Sequence, residues 1–348
     1  MSTVIKLFIS FNKNQNNAIQ DIVNHDIIKH KTNDSIKNNF FLVTTMTNYP
    51  KYFPDENICV LKFEKSIKYF LNEIYHKSLL HQINVFLSDH ILVHRNIEVI
   101  TPHLMNIPSN YIVNKLYREC LNIIISNYPD GIAQLYDAKI RWKYKYDLNI
   151  YKVLIRYIIA NLIGLRYKLV YGSILNSYKR LNNTYTYAKD LLPKNLNSNI
   201  IQITHNTKKV IGKSVIIICF APRFSIAHYI KTFFDVQYPK IDQNISKIYY
   251  KPHPAVANDT FQTLIRKYDY PIIIIDKNEL LEESVTKYQC NQVISIGTFS
   301  TALLNLRLIY GEQIQLTMFE IAGQAKGKNY EALIRIIDYF KIDRHILH

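Results

Sequence analysis

From Ser214 to Phe220 the chain reads Ser-Val-Ile-Ile-Ile-Cys-Phe, without a charged residue. A strand with one wet face alternates apolar and polar residues. A continuous β-branched run belongs instead to a strand buried on both faces. Both faces of a sheet are covered when helices pack on each side, which is how parallel α/β sheets are built. The rest of the chain repeats the pattern. Strands are expected at Val4 to Phe11, Phe40 to Thr45, Ile58 to Phe63, Ile83 to Leu87 and Leu121 to Ile125. Further on they are expected at Ile200 to Ile203, Ile245 to Tyr250, Ile272 to Ile275 and Val293 to Ile296.

Helical spacing separates these runs. Short helices are expected at Asn16 to Val23 and Tyr111 to Arg118, and a longer one at Ser66 to Leu80. In the second half, helices are expected after Pro222, over Thr260 to Tyr268, after Glu279, over Ala302 to Leu308 and over Tyr330 to Phe340. A length of 348 residues fits two such domains, at roughly 100–200 residues each. The first is read as residues 1–195, with its α/β body ending near 137 and a basic, Tyr-rich helical insertion at about 138–195. The second is read as residues 196–348, a doubly wound α/β domain.

Charge narrows the partners. There are 43 Lys and Arg against 27 Asp and Glu, a net charge of +16. Nucleic acid, acidic lipid and phosphorylated small molecules all suit it. The four cysteines, Cys59, Cys120, Cys219 and Cys290, have no CxxC spacing and read as free thiols of a reducing compartment. The N-terminal apolar run contains Lys6 and does not read as a signal peptide. Val153 to Leu165 is too short to span a bilayer and carries Arg156 and Asn161. A cytoplasmic location follows, with room for peripheral attachment at the inner face of the membrane.

The charge gathers between the two halves. From Lys139 to Arg180 there are ten Lys or Arg and one acid, Asp147, interleaved with Tyr144, Tyr146, Tyr151, Tyr157, Tyr167, Tyr171 and Tyr178. Three readings fit. Long cationic stems and tyrosines suit an anionic membrane interface. They suit nucleic acid. They also suit a partly buried helical insertion with a solvated basic face.

Three turns follow apolar strands. In Lys251-Pro252-His253-Pro254 the prolines stop the strand and stiffen the exit, holding a histidine at a strand's carboxyl end. That edge is where open α/β sheets bind ligands, and histidine suits proton transfer near neutrality. Pro129-Asp130-Gly131 supplies a carboxylate. Gly297-Thr298-Phe299-Ser300-Thr301 supplies hydroxyls and free N–H groups at a helix start, which suits a phosphate. Each also has an ordinary reading: a rigid turn with a surface histidine, an Asp-Gly turn, an N-cap.

The order Asp-Gly, His-Pro, Ser-Thr resembles that of bacterial sialyltransferases and polysialyltransferases, which carry an acidic-acidic-Gly motif, a His-Pro motif and a paired-hydroxyl motif. The chain is most similar to glycosyltransferase family 52, which includes lipooligosaccharide α-2,3-sialyltransferases. The resemblance covers about residues 210–310 and the Asp-Gly segment. It implies a GT-B fold, with two Rossmann-like domains and the active site in the cleft between them. It implies CMP-sialic acid as donor and no cofactor or metal. By position, Asp130 matches the general base and His253 the histidine that assists departure of the CMP phosphate. Ser300 and Thr301 match the paired hydroxyls on that phosphate, and Glu279 the acid that holds the ribose or base. Gly131, Lys251, Pro254 and Gly297 complete the implied substrate-binding set. Pro129 and Thr301 depart from the pattern, where an acid and a Ser are usual. Asp235 is a rival base. Arg223 and Lys251 are candidates for the sialic acid carboxylate.

Sugar transfer from such a donor needs a base for the acceptor hydroxyl, a stabilised oxocarbenium-like centre and charge neutralisation on the leaving phosphate. The expected reaction is inverting transfer to a terminal galactose of a lipid-linked surface glycan: lipopolysaccharide, lipooligosaccharide or O-antigen. A homodimer is compatible with this. The alternative within enzymes is another GT-B transferase, such as one using CMP-Kdo. The alternative outside enzymes is a basic nucleic-acid-binding protein, although no nucleic-acid motif is present. Neither a DxD-like dyad at a strand end nor a His/Cys cluster with metal-ligand spacing appears.

Overall fold

The computed structural model describes residues 4–30, 39–50, 52–61, 72–104, 107–120, 122–129, 134–135, 139–140, 157–162, 164, 166–168, 172–173, 181–194, 196–205, 207–209, 213–220, 232–237, 247–252, 272–276, 278–297, 301–322 and 328–347. The chain divides into two compact units, Met1–Thr204 and His205–His348.

In the first unit β1 (Ile5–Ser10) leads through α1 (Lys13–His30) to β2 (Phe40–Thr44) and β3 (Ile58–Val60). Helix α2 (Asn72–Phe86), β4 (Asn96–Thr101), α3 (Ile107–Glu119) and β5 (Asn122–Asn127) follow. The strand pairs β6 (Lys139–Ile140) with β7 (Gly172–Ser173) and β8 (Asn183–Thr186) with β9 (Asn199–Gln202) complete it. One seven-stranded sheet runs β3-β2-β1-β4-β5-β8-β9, with every neighbouring pair parallel. Strand β1 starts in the centre. The chain fills one side, then crosses over and fills the other, which is the Rossmann order.

Successive residues of β1 point to opposite faces. Ile5, Leu7 and Ile9 join a core with Ile83 and Leu87 near α2 and Ile112 and Leu116 of α3. Phe8 joins a second core with Ala18, Ile19 and Ile22 of α1.

Strand β4 is absent from the expectations above because Glu98 interrupts its apolar run. The structure shows how that charge is accommodated. Lys6 Nζ lies 3.2 Å from Glu98 and 2.7 Å from Asp26 of α1. Ser126 Oγ and Asn183 Nδ2 donate to Glu98 at 2.5 and 3.0 Å. Burial by itself lowers the Lys6 pKa, but Glu98, Tyr185 and Asp26 outweigh it and hold the ammonium well above its ordinary range.

Three further differences have physical causes. Ile83 to Leu87 is not a strand; it ends α2 and enters a π-helical turn, Leu87–Ile91. Leu79, Leu80, Ile83, Phe86 and Leu87 are buried at helical spacing while Val85 is exposed, so β-branching misled and periodicity decided. Residues 181–194 are not helical insertion: β8 lies there and pairs with β5. The strand near Ile200, assigned by sequence to the second half, is β9 and pairs with β8. The first unit therefore runs to Thr204. Of the basic segment, Ala160 and Tyr167 are buried in the first unit's core. Lys168 exchanges two backbone hydrogen bonds with the Asn110 side chain of α3, at 2.8 and 2.9 Å.

The second unit repeats the order. It contains β10 (Lys213–Phe220), β11 (Lys247–Lys251), β12 (Ile272–Ile274) and α4 (Leu281–Lys287). Then come β13 (Cys290–Ile296), α5 (Thr301–Tyr310), β14 (Gln315–Ile321), α6 (Lys328–Tyr339) and β15 (Asp343–Leu347). The parallel sheet runs β12-β11-β10-β13-β14-β15. The uncharged run Ser214 to Phe220 lies in β10, which is paired on both sides. Strands β14 and β15 were not foreseen, because Glu320, Asp343 and Arg344 break their apolar character. Here Arg344 Nε donates to Glu320 at 2.8 Å, and Tyr330 Oη donates to it at 3.0 Å. Among the described residues no helix is long and apolar enough to cross a membrane.

Candidate active site

In a parallel sheet all carboxyl ends share one edge, and the ligand crevice opens where strand order reverses. In the second unit that point is β10, flanked by β11 and β13. Cys219 of β10 is in register with Lys251 of β11 on one side and with Ser295 of β13 on the other. The His-Pro segment leaves β11 at Pro252, and the hydroxyl segment leaves β13 at Gly297. With strands about 4.8 Å apart, the two exits stand roughly 10 Å apart across β10.

Gly297 has φ 113°, a region closed to other residues. Its N–H donates to Phe319 O of β14 at 2.8 Å, prolonging the ladder past the strand end. Thr301 is the first residue of α5, a ten-residue helix, so its hydroxyl belongs to the helix end that favours anions. His253, Pro254 and Ser300 lie outside the described residues, as do Asp130 and Gly131 of the first unit.

Lys251 is 5% exposed, not a surface charge. Its Nζ donates to Pro252 O at 2.8 Å. Glu279 lies beyond β12, just before α4. It accepts from Ser284 Oγ and Lys287 Nζ, both at 2.7 Å. Burial alone raises the Glu279 carboxyl, but the hydrogen bonds from Lys287 and Ser284 and the charges of Lys287 and Lys251 hold it below its ordinary value. Each of its oxygens keeps acceptor capacity, because a carboxylate oxygen has two lone pairs. The edge thus holds a buried cation within electrostatic reach of an ionised carboxylate.

Asp235 is exposed, in the π-helical turn Phe233–Gln237. Phe233 anchors that turn, its ring 5.2 Å from that of Phe319. The rival base therefore belongs to the second unit, on the β14 side of its sheet.

The first unit's carboxyl edge carries residues the sequence reading did not single out. Five of its seven strands, β1, β2, β4, β5 and β8, end in Ser10, Thr44, Thr101, Asn127 and Thr186, all fully buried. Ser10 Oγ bonds Asn16 Oδ1 at 2.5 Å and Thr44 Oγ1 at 2.9 Å. Tyr128 Oη donates to Ile9 O at 2.7 Å. Gln134 Nε2 donates to Asn127 Oδ1 at 2.6 Å and to Tyr185 O at 2.8 Å. The signal was present in the sequence: the apolar runs of β1, β2, β4 and β5 each close on a hydroxyl or an amide.

No family model and no curated protein matches the chain. Among solved structures it is similar to the α/β-galactoside α-2,3-sialyltransferase of the luminous marine bacterium Photobacterium phosphoreum, with 14% identity over 99% of each chain and a TM-score of 0.52. It is also similar to the glycotransferase of kitacinnamycin (7% identity, 98% of this chain and 85% of that one, TM-score 0.46). A third is the family 9 glycosyl transferase of Veillonella parvula (11% identity, 99% and 85%, TM-score 0.41). The fold is GT-B, two Rossmann-like units in one chain.

Proposed function

We propose that the chain is a sialyltransferase of the family 52 kind, moving sialic acid from CMP-sialic acid to a terminal galactose of a bacterial surface glycan with inversion and without a metal. One observation carries this reading. The segments holding Asp130, His253 and Thr301 directly follow the carboxyl ends of β5, β11 and β13, and the last two exits flank β10, where a Rossmann order reverses.

The roles follow from the chemistry. Asp130 takes the proton from the acceptor hydroxyl as its oxygen bonds the anomeric carbon. The bond from that carbon to the CMP phosphate oxygen breaks. His253 donates a proton to the departing phosphate, and Ser300, Thr301 and the start of α5 receive its charge. Lys251 adds positive potential at the same edge. Glu279 has free acceptor capacity for ribose hydroxyls.

A lipid-linked acceptor brings the enzyme to a membrane surface. In helix 157–162 the side chains of Ile158 and Leu162, one turn apart, are 53% and 80% exposed. They sit within the basic stretch Lys139 to Arg180, a pairing that suits anionic lipid.

The test is a donor screen with CMP-Neu5Ac, CMP-Kdo and UDP-sugars against galactose-terminated acceptors. Transfer from CMP-Neu5Ac alone is expected. Transfer only from CMP-Kdo or a UDP-sugar overturns the donor assignment.

A further inference from the structure

We propose that Ser284 and Lys287 are positioning residues that hold the Glu279 carboxylate for a ribose diol, so that the site selects a ribonucleotide over its 2′-deoxy form; this rests on the reading of the second unit as the one that binds the CMP donor. Glu279 is fixed first through its backbone. Beyond β12 the chain turns, with Asn278 N donating to Asp276 Oδ1 at 2.8 Å and Glu279 N donating to Asp276 O at 3.1 Å. Helix α4 then fixes the side chain. Ser284 is fully buried, and its Oγ donates to Glu279 Oε1 at 2.7 Å. Lys287 Nζ donates to Oε2 at the same distance. Lys287 is steadied in turn, its Nζ 5.0 Å from the centre of the Tyr288 ring. That ring stacks on Tyr249 of β11 at 4.4 Å and 29°. The carboxylate is thus tied, through a lysine and two tyrosines, to the strand that carries Lys251.

With one donor on each oxygen, the plane of the carboxyl group is set. Each oxygen keeps one further lone pair, so the group offers two acceptors side by side. That matches two vicinal hydroxyls, each with one proton to donate. Ionisation matters as much as direction, since a neutral carboxyl spends one oxygen on its own proton. Burial alone raises this carboxyl; the hydrogen bonds from Lys287 and Ser284, with the charges of Lys287 and Lys251, bring it below its ordinary value. Stability accounts poorly for the arrangement. The Lys287 side chain is 60% exposed, and an exposed ion pair contributes little to folding. Orienting a ligand-binding group is the role that such a contact can still fill.

The experiment compares full-length wild type with Lys287→Met, Lys287→Arg, Ser284→Ala and Glu279→Gln. Calorimetry reads the affinities for CMP and dCMP. Carbon-13 NMR reads the titration of the Glu279 carboxyl, assigned by its absence from Glu279→Gln. Wild type is expected to prefer CMP by about tenfold or more, the scale of one hydrogen bond to a charged group. That preference should shrink by about threefold or more in Lys287→Met and Ser284→Ala, return in Lys287→Arg, and vanish in Glu279→Gln, with dCMP affinity held within about twofold throughout. The Glu279 titration should move to higher pH in Lys287→Met and Ser284→Ala. Lys287→Met changes an exposed residue and carries the test if Ser284→Ala does not fold. An unmoved titration overturns the positioning, as does an unchanged CMP preference in Lys287→Met while Glu279→Gln loses it. A wild type that binds both nucleotides equally overturns the diol assignment. One that binds neither overturns the proposed function, and the titration still decides whether the two residues hold the carboxylate.

Discussion

The buried triad of Lys6, Asp26 and Glu98 yields a lopsided prediction. One ammonium lies 2.7 Å from one carboxylate and 3.2 Å from another, and side-chain exposure is 18%, 9% and 6%. Lys6→Met leaves two neighbouring buried carboxylates without their ammonium, and breaking a buried pair in this way costs about 3–5 kcal/mol. Glu98→Gln leaves a matched Lys6–Asp26 pair and an amide that still accepts from Ser126. Its cost should be nearer 1.5–3 kcal/mol, about the scale of a lost charge-assisted hydrogen bond. Exchange of β1 and β4 amides in the full chain reads the first unit's own stability. A loss of 3–5 kcal/mol should speed the slowest amides by roughly 10²–10⁴-fold, at about 1.36 kcal/mol per factor of ten. The pH dependence has a definite sign. The Lys6 pKa is raised on folding, so its contribution is complete below about 10.4 and is lost as pH climbs through the folded value. The reasoning is refuted if Lys6→Met costs under 1 kcal/mol, or less than Glu98→Gln.

His253→Ala should lower kcat by about 10²–10⁴-fold, the usual contribution of a general acid or base, with an unchanged circular dichroism spectrum; activity within a few-fold of wild type sinks the assignment. Asp130→Asn should abolish transfer while CMP-sialic acid binding, measured by calorimetry, persists. Normal transfer there together with loss in Asp235→Asn moves the base to the second unit. Transfer should survive EDTA, because phosphate charge is assigned to protein groups; loss on chelation, restored by Mg²⁺ or Mn²⁺, contradicts that. Sedimentation with anionic vesicles should be released by salt and weakened in Ile158→Glu/Leu162→Glu, whereas tight RNA or DNA binding without vesicle binding would favour the nucleic-acid alternative.

The second unit was the more legible half, and the reason is local. Strand β10 carries an uninterrupted apolar run from Val215 to Phe220, β13 ends on Val293, Ile294 and Ile296 just before Gly297, and β11 is stopped by prolines, so strand, exit and motif could be read together. The first unit hides its central pairing, because β4 needs Lys6, ninety-odd positions earlier in the chain, before its glutamate makes sense as a strand residue. Lys251 shows the same limit. Its place at a strand end was legible, but its burial and its influence on Glu279 depend on tertiary neighbours. Gln134 looked like an ordinary polar residue until its two acceptors, Asn127 and Tyr185, were located on different strands.

The position of β10 has a consequence for how the chain is made. It is the first strand of its sheet and also its centre, and its partner on one side, β13, begins seventy residues after β10 ends. At about 5–20 residues per second of synthesis, that edge of β10 waits on the order of 4–14 s for its partner. Throughout that interval the most continuous apolar strand in the chain presents unpaired N–H and C=O groups, a template for pairing with another chain. Nascent chains arrested between Phe220 and Cys290 should accordingly be the ones that need a chaperone.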